Sequence, residues 1–170
     1  MKRPDWDTYF MTIAWTVRMR SHDHQTQVGA VIVDPRRRII STGYNGFPPG
    51  ADDKTLPNTR PGKYPYIVHA ETNAIATATR SCEGATIYST LLPCPSCTGT
   101  LITAGIKRVV YHDVGNLSVA DQDATLTMLD QCGVMLDHAS PAADIATRET
   151  LQRRLAYALR SIELLARRVT

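Results

Sequence analysis

Val28-Gly29-Ala30-Val31-Ile32-Val33 is a run of small and β-branched residues; Asp34-Pro35-Arg36-Arg37 follows it, and then Arg38 to Tyr44. β-Branched side chains suit a pleated surface and Asp-Pro is turn chemistry, so the segment predicts two strands joined as a hairpin. Just upstream, Asp7 to Arg20 places Phe10, Ile13, Ala14 and Val17 at helical spacing, with Asp5 or Asp7 positioned as the cap. A helix followed by a hairpin is therefore the first unit. Downstream, an alanine-rich helical pattern runs from His69 to about Thr79, followed by a strand over Ala85 to Thr90 and a helix over Cys94 to Ala104. Lys107 to His112 reads as a strand, Asp121 to Gln131 as a helix stopped by Gly133, and Val134 to Leu136 as a last short strand. The order β-β-α-β-α-β-α-β predicts an α/β protein: a three-layer α/β/α domain with a central mixed five-stranded sheet and helices on both faces.

This core is expected to occupy residues 1–140. Beyond it, Leu151, Leu155, Leu159, Ile162 and Leu165 step by three and four against an arginine-rich face, which predicts a helical extension over 141–170. The extension is expected to pack on its own domain or on a neighbouring subunit. Between the hairpin and the next helix, 45–65 carries Gly46, Pro48, Pro49, Gly50, Pro57, Pro61, Gly62 and Pro65. A loop this long inside a compact domain is usually functional.

Composition narrows the function classes. With 170 residues, 43% hydrophobic and 21% charged, the chain has enough apolar material for one core and is neither disordered nor low-complexity. No apolar run approaches the ~20 residues that span a bilayer, and Met1 to Asp7 has no apolar signal segment, so a cytoplasmic protein without membrane association is expected. The net charge of +3 is too small an excess to point to nucleic-acid binding. Cys94 and Cys97, in a tight Cys-Pro-Ser-Cys cluster, read as metal ligands rather than as half of a disulfide framework, and Cys82 and Cys132 as small hydrophobes.

Two short motifs carry chemistry. His69-Ala70-Glu71 opens one predicted helix and Pro93-Cys94-Pro95-Ser96-Cys97 opens the next. Cysteines three apart on a first helical turn point the same way, and a helix start favours thiolate, the form a Zn²⁺ ion needs. With His69 they make three protein ligands, which leaves a tetrahedral zinc one position for water, the pattern of a catalytic site. Glu71 then reads as a proton carrier: it takes a proton from that water, gives it to a ring nitrogen, and passes a second proton to the departing amine. A structural zinc knot using Cys82 and a redox Cys-x-x-Cys pair are the rival readings. The combined order H-x-E…P-C-x-x-C, with proline directly before Cys94, favours the signature of zinc nucleobase deaminases.

The residues go further than that signature. Tyr9 to about His112 resembles the deoxycytidylate (dCMP) deaminase family within the cytidine deaminase-like fold. The similarity lies in Tyr9-Phe10-Met11 through Gln27-Val28-Gly29-Ala30, in Gly43-Tyr44-Asn45-Gly46-Phe47-Pro48, and in Lys63-Tyr64-Pro65-Tyr66 leading into His69-Ala70-Glu71. The resemblance implies conversion of dCMP to dUMP and ammonia, which supplies thymidylate synthesis. It also implies activation by dCTP, inhibition by dTTP, and a homo-oligomer, a hexamer. Carried over residue by residue, Asn45 would hold a sugar hydroxyl and the Ala70 N–H would face the pyrimidine carbonyl. Tyr66 would contact base or sugar. Gly43, Tyr44, Gly46, Asp52 and Asp53 would border an effector site, with the aspartates holding the Mg²⁺ of a triphosphate. The chain departs from the family before the two aspartates and across Val114 to Asp121, which helps shape the nucleotide pocket. A deaminase of another cytosine nucleotide, of a modified dCMP or of tRNA adenosine is the alternative, and a non-catalytic nucleotide sensor a further one.

Overall fold

The computed structural model describes residues 3–142, so the C-terminal helical extension lies outside the described residues. Helix α1 spans Trp6–Arg18, capped by Asp5, whose carboxylate accepts from the Thr8 N–H at 2.8 Å. Strands β1 (Gly29–Val33) and β2 (Ile39–Tyr44) form the antiparallel hairpin, and the turn between them holds Arg37 at φ 65°. Then come α2 (Ala70–Ala76), β3 (Thr86–Leu91), α3 (Pro95–Thr103), β4 (Arg108–Asp113), α4 (Val119–Gln131) and β5 (Met135–His138). A single 3₁₀ turn, Tyr64–Tyr66, interrupts the long loop before α2. Helix α2 is shorter than the expected 69–79. It stops at Thr77, whose hydroxyl donates back to the Asn73 and Thr42 carbonyls, the kind of local hydrogen bond that competes with helix propagation.

The sheet order is β2-β1-β3-β4-β5, antiparallel across β2, β1 and β3 and parallel across β3, β4 and β5. Alternation along each strand divides the core in two. Val31, Val33, Tyr88 and Val110 face α1, where they meet Phe10, Met11, Ala14 and Trp15. Ala30, Ile32, Ile87 and Val109 face the other way, onto Ala74 of α2, Leu101 of α3 and Leu129 of α4. The period of two therefore produces the three layers.

Two glycines set how closely helices approach the hairpin. A Cβ on Gly29 would lie 2.2 Å from the Ala14 carbonyl oxygen, and one on Gly43 would lie 2.2 Å from the Ala70 carbonyl oxygen. Only glycine lets the backbones meet at this distance. Gly43 thus brings the start of α2 onto β2, and its place in the sequence has a packing reason separate from the expected effector role.

Candidate active site

Three loops converge where the sheet changes from antiparallel to parallel. The carboxyl end of β3 leads into α3, the carboxyl end of β4 leads into 114–117, and the start of β1 lies beside them because β1 runs opposite to β3. Crevices at such points are where open α/β sheets bind ligands. Here a cavity is lined by His69, Ala70, Glu71 and Cys94, by Leu91, Leu92, Val114 and Leu117, and by Asp23, Asn45, Arg60, Lys63, Tyr64 and Asn116, among others.

His69 and Cys94 are the cap residues of α2 and α3, both in extended backbone conformation, so each side chain leaves at the first turn of its helix. Pro95 at the first helical position fixes the entry angle of α3. Thr125 of α4 donates to the Pro93 carbonyl at 3.1 Å and anchors the preceding loop. The result brings His69 Nδ1 to 3.5 Å from Cys94 Sγ and 3.4 Å from Cys97 Sγ. Bond lengths of 2.0–2.1 Å to nitrogen and 2.3 Å to sulfur at tetrahedral angles put nitrogen and sulfur about 3.6 Å apart around one zinc. The donor set and its spacing fit that ion, and among the described residues these are the grouped side chains able to hold a metal.

The electrostatics agree with a metal site. The Cys97 thiol donates toward Cys94, which with His69 draws Cys94 down to about 4, while the same contact and burial push Cys97 up. Contact with Cys94 raises His69. Cys94 is thus favoured as thiolate, balanced by the protons that His69 and Cys97 retain, and a divalent cation binding there would displace those protons.

Glu71, two residues past His69 on the first turn of α2, is only 4% exposed. Burial pushes its carboxyl upward, against a hydrogen bond from its own backbone and the nearby His69. Ser89 of β3 donates to its Oε1 at 3.3 Å and orients it. A carboxylate held dry beside a metal-ligand cluster is suited to exchanging protons.

Other expected residues fall differently. Asn45 lines the cavity, but its amide closes the 26–28 loop: Oδ1 accepts from the Val28 N–H at 2.7 Å and Nδ2 donates to the Thr26 carbonyl at 2.8 Å. Tyr66 is not among the residues lining the cavity, whereas Tyr64 is; on a 3₁₀ turn residues two apart point in different directions. Gly43, Tyr44, Gly46, Asp52 and Asp53 also lie outside the lining. Gly46 bridges to Val68, Tyr44 offers its carbonyl to Asn73 Nδ2, and Asp52 caps a surface turn by accepting from the Lys54 N–H.

One pair was not legible from sequence. Asp23, in the segment between α1 and β1, meets Lys63 with both carboxylate oxygens 2.6 Å from Nζ, both side chains being almost fully buried. Asp23 also accepts from the N–H groups of Gln25 and Thr26, a local turn signal that the sequence does carry. Burial works to raise this carboxyl, but Lys63 and the two N–H groups hold it below the usual range. Removing one partner of a buried pair leaves a bare charge. Lys63→Met is expected to cost about 3 kcal/mol, at the low end because the backbone donors remain. Melting temperature should fall by about 6–12 °C, as read by differential scanning calorimetry, and a fall under about 2 °C would show that the pair carries little stability.

The sheet topology and this side-chain set define a class, the zinc-dependent deaminase domain. Residues 4–113 match the family model of the cytidine and deoxycytidylate deaminase zinc-binding region, and the chain belongs to that family. The human deoxycytidylate deaminase is 40% identical over 128 residues, covering 68% of this chain and 72% of that protein. The deoxycytidylate deaminase of Mycobacterium phage D29 is 42% identical over 125 residues, covering 65% of this chain and 97% of its own. A crystal structure of dCMP deaminase from cyanophage S-TIM5, in complex with dCMP and dUMP, superposes with TM-score 0.67 at 27% identity, covering 82% of this chain and 100% of that one. No helix among the described residues is long and apolar enough to cross a membrane.

Proposed function

We propose that this enzyme deaminates dCMP hydrolytically to dUMP and ammonia, with zinc held by His69, Cys94 and Cys97 and with Glu71 as the proton carrier. The supporting observation is the convergence of three ligand atoms beside one buried carboxylate within a single cavity. Zinc in such a set supplies Lewis acidity, lowering the pKa of a water it binds from 15.7 toward about 7. The rest falls to the chain. Glu71, fixed by Ser89, accepts a proton from water, delivers it to the ring nitrogen, and carries a second proton to the leaving amine. Burial favours this exchange, because it brings the neutral and charged forms of the carboxyl closer in energy. Leu91, Leu92, Val114 and Leu117 give the cavity an apolar wall against which a pyrimidine ring can lie. The Ala70 N–H, at the first helical position, is not needed by the helix and is available to the base carbonyl. Asn45 retains one lone pair on Oδ1 for a sugar hydroxyl.

Incubating the zinc-loaded full chain separately with dCMP, dCTP, cytidine and a tRNA anticodon stem tests the assignment. dUMP and ammonia should accumulate with dCMP in preference to the others, whereas turnover of the tRNA alone would overturn it. Adding dCTP or dTTP to the same assay, and sizing by light scattering, tests the regulation and the hexamer that the resemblance implies.

A further inference from the structure

The cavity holds two cationic side chains besides His69, and their surroundings differ. Lys63 is buried and neutralised by Asp23. Arg60 is exposed at the rim and, among the described residues, has no carboxylate within ion-pair distance. It is nonetheless held in place: its backbone N–H donates to Gln25 Oε1 at 3.1 Å and its guanidinium donates to the Thr26 hydroxyl. A guanidinium has five N–H donors in a fixed fork, so this contact leaves most of them unused.

We infer that Arg60 is the residue that recognises the 5′-phosphate, making this pocket selective for a pyrimidine nucleoside monophosphate over the free nucleoside. The inference rests on the proposed deamination. For the exocyclic amine to reach Glu71 the base must enter first, toward the buried end of the cavity. The phosphate, the most hydrated part of the substrate, then stays at the rim, where Arg60 lies. Lys63 is a poorer partner, because drawing it to phosphate would strand Asp23 in the protein interior. Arg60 carries no such penalty and gains charge-assisted, bidentate hydrogen bonds.

The test uses the zinc-loaded full chain with Arg60→Gln and Arg60→Lys. Arg60→Gln should raise KM for dCMP about tenfold or more, with kcat kept within about threefold and KM for deoxycytidine within about twofold. Arg60→Lys, which preserves charge but not the fork, should recover part of the loss. An unchanged KM for dCMP, or an equal rise for dCMP and deoxycytidine, would overturn the inference, the latter assigning the effect to the Thr26 contact. Calorimetric titration with dUMP reads the phosphate contact without turnover. Absent deamination together with Arg60-dependent dUMP binding would therefore fault the reaction and uphold the phosphate contact.

Discussion

Glu71→Gln should abolish turnover and leave everything else in place. Glutamine keeps the shape and an oxygen for the Ser89 hydroxyl to donate to, so the hydrogen bond at 3.3 Å is preserved. What it loses is the ability to release and regain a proton. General acid–base groups contribute about 10²–10⁴-fold, and a residue serving two proton transfers belongs at the upper end. With dCMP as substrate, kcat is expected to fall by about 10³-fold or more. Zinc content, measured by atomic emission, should stay at that of the unaltered enzyme. Melting temperature should hold or rise slightly, because a neutral amide avoids the desolvation that already pushes the Glu71 carboxyl upward. A variant active within about tenfold of the unaltered enzyme would remove Glu71 from the proton-transfer role.

Cys94→Ser separates the metal from the fold. Cys94 is the cap residue of α3 and makes no side-chain capping bond, whereas serine is among the best capping residues, so the helix loses nothing by the change. The ligand set loses one of its two sulfurs. His69 and Cys97 alone form a much weaker site, since a hydroxyl does not ionise near neutral pH and is a poor substitute for thiolate. Bound zinc is expected to drop about tenfold or more after dialysis against a mild chelator, with dCMP turnover falling in parallel. Far-UV circular dichroism should be unchanged, because Cys94 belongs to none of the three hydrophobic clusters. Stoichiometric zinc in this variant would take Cys94 out of the ligand set.

Much of the fold is legible locally. The β-branched run of β1, the Asp-Pro turn and the Asp5 cap each act within a few residues, and each lies within one or two positions of where it reads in the sequence. The H-x-E and P-C-x-x-C motifs are legible for the same reason, since both place chemistry at helix starts. The tyrosines of the long loop are not. Tyr64 and Tyr66 are the same residue type on either side of Pro65, and only the rotation of the 3₁₀ turn puts one of them on the cavity. Gly43 reads as bordering an effector site, and its close approach to α2, twenty-seven positions on at Ala70, adds a packing reason that only the fold shows.

The sequence by itself therefore determined the order of elements, the two faces of the sheet and the residues able to bind a metal, because propensity, period and capping depend on near neighbours. Tertiary structure alone decided that Asp23 neutralises Lys63 across forty residues, that Asn45 closes the 26–28 loop, and that Arg60 stands at the rim with no carboxylate partner among the described residues. Those outcomes depend on which charges come within a few ångströms of one another out of water, and separation along the chain does not encode that distance.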